Sequence, residues 1–225
     1  MNEYIVVEID DKILQTARFL AEQRLLYEYP RQGYGHYQHN KHLENLINGY
    51  LGELGFLKMM TQKIKEKYIS KIQILQQSYN STLAKEIYDN IKNEKFSYEA
   101  IIGQTDKGYD FKKDNILIDI KTYGTGYVRK NSDGKYYLLS GNRQKPIEKL
   151  NLLIDQRQGK KWIDNNDIIF VQAFIELQEH KCINIIYAGY HQGLPLLNTN
   201  FPQPAYACNI QNLKSMNELF QKLGV

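Results

Sequence analysis

The sequence predicts an α/β protein with a mixed central sheet flanked by helices, and three observations support this fold class. The length of 225 residues suits a single domain. Hydrophobic residues make up 42% of the chain and charged residues 24%, as in folded globular proteins. Apolar residues recur at helical spacing early in the chain, and patterns typical of strands follow. We therefore expect one domain over residues 1–225, with a helical N-terminal part over 1–95.

The N-terminal part begins with a predicted strand over residues 4–9. Asp10 or Asp11 can cap the helix that follows, which we expect to end before Pro30. Residues 30–42 contain two glycines and three histidines and are predicted to form a loop.

A second helix is predicted over residues 41–60, because its apolar side chains recur about every 3.6 residues on one face. Those side chains are Leu43, Leu46, Ile47, Tyr50, Leu54 and Leu57. Helical or charged segments are expected through 61–95, where Ser81 is a candidate N-cap.

The remainder of the chain is dominated by strand patterns. Strands are predicted over 99–104, 109–113, 116–123, 167–177 and 182–190, with a further hairpin over 127–139. Asp114 and Asn115 are predicted to form the turn between the second and third of these strands. Pro146 is predicted to start a helix that reaches Ile154. A loop over 194–204 and a C-terminal helix over about 211–223 complete the predicted order.

Composition excludes several classes of protein. Mean hydropathy is −0.55, and no apolar run approaches the length of about 18 residues that suggests a membrane-spanning helix. The N-terminus lacks a basic region followed by an apolar one, so we expect a cytoplasmic protein with no membrane partner. Cys182 and Cys208 lack metal-ligand spacing and are expected to be buried apolar residues. Phosphate-loop and acyl-transfer motifs are absent from the sequence.

The charge of the chain suits an anionic partner. The formal net charge is +4, and several of the 18 tyrosines lie among Lys and Arg residues. Such tyrosines can contact sugar, phosphate and bases, although they can equally fill core and strand positions. Basic clusters occur over 129–145 and at Arg157, Lys160 and Lys161. The first cluster is placed to enter a nucleic-acid groove, and a solubilising surface is the alternative.

The hairpin over 109–123 carries the residues of greatest chemical interest. If Asp114 and Asn115 form the turn, opposite residues have numbers that sum to 229, so Asp110 faces Asp119. Directly opposed side chains have Cβ atoms roughly 4.5–5.5 Å apart, and Lys121 projects from the same face as Asp119. Opposed like charges destabilise a sheet, so the pair requires a cation. Carboxylate oxygens suit Mg²⁺, which activates water and polarises phosphoryl groups. This chemistry favours hydrolysis of a phosphodiester.

These residues resemble the PD-(D/E)xK nucleases. Asp110 matches the first acid of that motif, and Asp119-Ile120-Lys121 matches the (D/E)xK element, whereas Tyr109 stands where the motif has proline. The resemblance implies a restriction endonuclease-like core of order αβββαβ over about residues 40–190. It also implies a metal bound by Asp110, Asp119 and the backbone carbonyl of Ile120, with Lys121 holding the attacking water.

Glu53 is a further candidate, because it lies on the apolar face of the second helix. A buried charge requires a partner. The neighbouring Gly49, Gly52 and Gly55 weaken a helix, which close approach of another element would explain. In the family that the motif resembles, an acid on this helix often joins the metal site, and Gly52-Glu53 resembles that element. Pairing of Glu53 with a core arginine is the alternative, and Glu44 is the alternative acid.

Other polar residues carry weaker signals. His36, His39 and His42 are spaced by three and suggest a transition metal, but no cysteine or carboxylate completes a set, so a solvated or DNA-facing loop is preferred. Asp106 and Asp114 are expected to be turn residues. Gln172 lies in a later predicted strand and could approach the site.

The sequence therefore predicts a Mg²⁺-dependent DNA endonuclease, with Mn²⁺ as a possible substitute ion. Its catalytic residues would be Asp110, Asp119, Lys121 and Glu53, and its metal ligands Asp110, Asp119, Glu53 and Ile120. The resemblance implies a type II restriction endonuclease, and cutting both strands of a duplex would favour a homodimer. One alternative is a nuclease of the same type that acts in junction resolution, repair or mobile-element excision. The other is a nucleic-acid-binding protein without activity.

Overall fold

A computed structural model describes residues 3–32, 36–78, 96–98, 108–123, 126–140, 143–178, 181–201 and 203–225. The helices are α1 (Asp11–Gln32), α2 (His36–Ser78), α3 (Gln156–Gly159) and α4 (Met216–Leu223). The strands of the first half are β1 (Ile5–Glu8), β2 (Phe96–Tyr98), β3 (Phe111–Lys113), β4 (Ile116–Thr122), β5 (Tyr127–Lys130), β6 (Tyr136–Ser140) and β7 (Arg143–Pro146). The remaining strands are β8 (Asn151–Asp155), β9 (Ile168–Gln178), β10 (Lys181–Gln192), β11 (Leu197–Asn198) and β12 (Ala205–Asn209).

A mixed sheet is organised around β9. Strand β10 pairs antiparallel with one edge of β9 and in turn pairs with β1. On the other edge, β4 runs parallel to β9 from Leu117 beside Ile168 to Thr122 beside Ala173. Strand β5 continues along the same edge and begins the antiparallel order β5-β6-β7, while β3 and β2 extend the sheet beyond β4. The predicted α/β class with a mixed sheet and helices is confirmed.

Both faces of the sheet are covered, which explains why β9 is a nearly continuous apolar run. Residues 168–176 of β9 are buried throughout. Ile169, Val171 and Ile175 pack into a core with α1, α2 and α4. Phe170 and Phe174 face a second core, which includes residues of the smaller sheet β11-β12-β8. Burial of both faces fixes β9, and with it the position of β4.

Several predicted elements are confirmed with small shifts in their ends. Strands occur at the positions predicted over 4–9, 109–113, 116–123, 167–177 and 182–190, although β9 and β10 extend beyond the predicted ends, and the 127–139 hairpin is formed by β5 and β6. The Asp10 carboxylate accepts a hydrogen bond of 2.9 Å from the Ile13 N–H and caps α1. The C-terminal helix begins at Met216 rather than near 211, because Ser215 and Glu218 form a capping box there.

The predicted boundaries of the first two helices are wrong. Helix α1 continues past Pro30 to Gln32, so this proline lies in the last turn, where only two helical residues follow it. Helix α2 begins at His36, inside the predicted loop over 30–42, and ends at Ser78. Among the described residues no helix is long and apolar enough to cross a membrane.

The helix predicted to start at Pro146 is also wrong. Pro146 ends β7, a single 3-10 turn covers Ile147–Lys149, and β8 follows. Burial along β8 alternates, with Leu152 and Ile154 buried and Leu153 exposed, because the strand pairs with β12. The helical part of the crossover from β4 to β9 is thereby reduced to α3, the 3-10 turn Lys160–Trp162 that follows it, and the 3-10 turn before β8. The strand predicted over 99–104, the Ser81 cap and Asp106 lie outside the described residues.

Candidate active site

The β3-β4 hairpin has the register that the sequence predicts. Phe111 pairs with Ile118 and Lys113 with Ile116, so paired residues sum to 229. Asp114 adopts φ +54°, the left-handed conformation that a two-residue hairpin turn favours. Asp110 therefore directly precedes β3 and is brought beside the strand that carries Asp119.

Backbone and side-chain hydrogen bonds tie Asp110 to β4. Its N–H donates to the Ile118 carbonyl at 2.9 Å. Its Oδ2 accepts a hydrogen bond from the Ile120 N–H at 2.6 Å. Asp110 is 7% exposed and Asp119 3%. Both carboxylates are thus held by the hairpin beneath the protein surface.

Helix α2 contributes Glu53, which is 8% exposed. The helix can lie close to β4 because residue 52 is a glycine and has no Cβ atom. A Cβ atom there would overlap the Thr122 hydroxyl. The Tyr187 hydroxyl donates a hydrogen bond of 2.7 Å to the Gly52 carbonyl and holds the helix against β10. The prediction that another element approaches closely is confirmed at Gly52 and at Gly55, where a Cβ atom would lie 2.6 Å from the Tyr187 hydroxyl. The same prediction is wrong at Gly49, which faces open space.

These elements form one pocket with a volume of about 470 Å³. Its lining contains the predicted residues Glu53, Asp110, Asp119, Ile120 and Lys121. The other lining residues are Arg24, Gly108, Tyr109, Asp155, Arg157, Gln158 and Lys161. Residues of the N-terminal helices, the hairpin and the crossover before β9 therefore converge on this pocket.

The pocket places the Asp110 carboxyl where ionisation is unfavourable. Burial raises the pKa of Asp110 well above its ordinary value, and the charges of Glu53 and Asp119 raise it further. Lys121 and the Ile120 N–H oppose that rise but do not cancel it. A bound cation would favour the ionised form of Asp110, because opposite charge offsets both causes.

Lys121 and Gln158 are both side-chain partners of Asp119. The Lys121 ammonium lies 2.7 Å from its carboxylate, and the Gln158 amide donates to Oδ2 at 3.1 Å. Gln172 stands beside Lys121 in the parallel pairing of β4 and β9, and its amide donates to the Lys121 carbonyl at 2.8 Å. The expectation that Gln172 approaches the site is confirmed, through the backbone of Lys121.

The donor set suits Mg²⁺ in its chemistry. Buried carboxylate oxygens are the ligands that this ion prefers, and it usually keeps several waters and uses one or two carboxylates. Within the described parts of the chain, no group of three His, Cys, Asp or Glu side chains is arranged to hold a metal ion. An ion at Asp110 and Asp119 would therefore also draw ligands from backbone carbonyl groups, water or substrate.

Several residues of the pocket wall were not predicted as site residues, among them Arg157, Gln158 and Lys161. Gln158 gave no signal, because its contact with Asp119 joins positions 39 residues apart. Arg157 and Lys161 belong to a basic cluster that the sequence does indicate, but its link to the carboxylates depends on the crossover. Arg157 and Lys161 are four residues apart and follow Asp155, which caps α3. This spacing next to a helix cap is the sequence signal that could have indicated both residues.

The alternative acid Glu44 lies elsewhere. It accepts a hydrogen bond from Tyr127 and lines a different pocket, between α1, α2 and the sheet. Of the three histidines, all fall within α2, and only the His42 side chain belongs to the described set. No protein-family model, curated protein or solved structure matches the chain.

Proposed function

We propose that the chain is a Mg²⁺-dependent DNA endonuclease that hydrolyses phosphodiester bonds, with a site of the PD-(D/E)xK type. The observation that carries this proposal is the convergence of Asp110, Asp119 and Lys121 with Glu53 in one pocket. If these charges only formed a row on the protein surface, their carboxylates would be exposed. The carboxylates of Asp110, Asp119 and Glu53 are instead buried. A buried carboxyl such as Asp110, whose pKa is raised by burial and by neighbouring carboxylates, is characteristic of a functional site.

The proposed roles follow from the contacts. Asp110, Asp119 and the Ile120 carbonyl would hold Mg²⁺, with Glu53 completing or supporting the site. The bound ion would supply polarisation of the phosphoryl group and a lowered pKa of coordinated water. Lys121, held beside Asp119 at 2.7 Å, would orient the attacking water and offset negative charge that develops on the phosphate.

We also propose that this α/β fold contains a restriction endonuclease-like core. Support comes from the order of a helix, the β3-β4 hairpin, and then β9 running parallel to β4. Mn²⁺ would substitute for Mg²⁺, because both ions accept oxygen ligands. A type II restriction activity on duplex DNA would favour a homodimer, since a two-fold axis matches the two strands.

Cleavage of plasmid and phage DNA tests the proposal. The wild type, Lys121→Ala and Asp119→Asn are incubated with Mg²⁺ or with EDTA, and Lys112→Ala serves as a control on the exposed side of the same hairpin. We expect Mg²⁺-dependent cleavage by the wild type and the control, and a loss of at least about 100-fold in both site variants.

Other outcomes would contradict the proposal. Cleavage that survives both site substitutions would refute the site assignment. Absence of cleavage of any DNA or RNA by the wild type, together with binding, would favour the non-catalytic alternative. Preference for branched over linear duplexes would favour junction resolution or repair instead of restriction.

A further inference from the structure

The crossover turn over residues 155–161 forms one wall of the site pocket. It supplies Asp155, Arg157, Gln158 and Lys161 to the lining. Arg157 and Lys161 are four residues apart and exposed, so the cationic ends of both can meet a ligand that enters the pocket. The neighbouring Lys160 is also exposed but does not line the pocket.

The turn is firmly attached to the rest of the fold. The Asp155 side chain accepts a hydrogen bond of 2.8 Å from the Arg157 N–H and caps α3. Gly159 is buried, and a Cβ atom there would overlap the Tyr206 ring. Trp162, at the end of the turn, is 7% exposed and packs in the second core. The positions of Arg157 and Lys161 are therefore set by the fold.

A side-chain contact of Gln158 brings this turn next to the carboxylates of the pocket. Its amide lies 3.1 Å from Asp119 Oδ2, so the residue that follows Arg157 in the chain contacts a proposed metal ligand. The cations of the turn thus line the same pocket as Glu53, Asp110 and Asp119. Without nearby cations, the carboxylates would repel an anionic nucleic-acid strand. Cations on an adjacent wall of the pocket offset this repulsion.

We propose that Arg157 and Lys161 bind the sugar-phosphate backbone of the nucleic acid next to the cleaved bond, with each cation contacting one phosphate. This inference rests on the proposed function, for which it names the substrate contacts. Arg supplies a planar fork of donors to phosphate oxygens, and Lys supplies a point charge. Such contacts position the strand and carry no sequence information.

Binding in EDTA tests the contacts without cleavage. Fluorescence anisotropy with a labelled duplex of about 20 base pairs would compare the wild type, Arg157→Ala, Lys161→Ala and the matched control Lys160→Ala over a salt series. Loss of one phosphate contact reduces the slope of log affinity against log salt by about 1. The affinity advantage of the wild type over Arg157→Ala or Lys161→Ala should therefore fall about 3.5-fold between roughly 50 and 200 mM salt.

The Lys160→Ala variant should keep the slope of the wild type, and the losses should be similar for duplexes of unrelated sequence. Equal slopes for Lys160→Ala and Lys161→Ala, or an unchanged slope in Arg157→Ala, would overturn the proposal, as would a wild type that binds no duplex. If the variants show these slopes but the wild type does not cleave DNA in Mg²⁺, the proposed function is refuted. The proposed phosphate contacts would still be supported.

Discussion

The same substitution at two glycines of α2 is expected to have different effects on stability. Gly49 and Gly52 are one turn apart on the helix, but a Cβ atom at Gly49 would meet nothing within 4 Å. At Gly52 the added Cβ would overlap the Thr122 hydroxyl and lie 3.3 Å from Ile120 Cγ2. Gly49→Ala therefore tests helix propensity alone, and Gly52→Ala adds a steric conflict with the strand that carries the site.

The magnitudes follow from two terms. Replacing glycine by alanine inside a helix stabilises the protein by about 1 kcal/mol. Overpacking an interface that is already filled costs about 1–3 kcal/mol, because side chains leave their preferred rotamers. We expect Gly49→Ala to raise the free energy of unfolding by about 1 kcal/mol. Gly52→Ala should unfold more easily than Gly49→Ala by about 1–3 kcal/mol.

Urea unfolding of the two variants and the wild type, followed by circular dichroism, measures this difference. DNA cleavage in Mg²⁺ gives a second measurement, since displacement of α2 from β4 would move Glu53 away from Asp110. Gly49→Ala should cleave like the wild type, and Gly52→Ala should cleave more slowly. Equal stabilisation by both substitutions would refute the close approach of α2 to β4.

Two further predictions concern the residues around Asp110. Its folded pKa is raised, so its ionisation destabilises the metal-free fold above that pKa. Asp110→Asn should therefore unfold at higher urea than the wild type in EDTA at neutral pH. This advantage should shrink as pH falls below the folded pKa and vanish only near the ordinary pKa of an aspartate, which applies to the unfolded chain. Gly108 has φ +82° and a Cβ there would lie 3.0 Å from the Trp162 ring. Gly108→Ala should lose about 1–2 kcal/mol in urea unfolding and cleave more slowly, because it shifts the segment that leads into Asp110.

The hairpin could be predicted from sequence because its signals are local. Asp114 and Asn115 favour a tight turn, and a two-residue turn fixes which residues pair. Once the turn is placed, side-chain alternation sets the face of Asp110, Asp119 and Lys121. The register of this hairpin required no knowledge of the rest of the fold, and it agrees with the structure over the paired residues 111–113 and 116–118. The pairing stops short of Asp110, whose N–H donates to the Ile118 carbonyl.

The segment after Pro146 could not be predicted in the same way. Ile147, Leu150 and Ile154 fit a helical period, yet Leu152 and Ile154 also fit the period of a strand. Four or five apolar positions do not separate the two patterns. The pairing of β8 with β12, whose residues lie 50 to 58 positions later, decides between them. Helix starts after proline are common, so the local signal favoured the wrong element.

That error also explains why Gln158 was not predicted as a site residue. A helix over 146–154 would have displaced the residues after Asp155 along the crossover, whereas strand β8 ends at Asp155 and lets its side chain cap α3. The cap starts a helical turn that presents Arg157, Gln158 and Lys161 to the pocket. The carboxylates of the site are thus set by a local turn, while the cations opposite them depend on a distant strand pairing. For this reason sequence patterns indicated the acids of the site more readily than its substrate-facing wall.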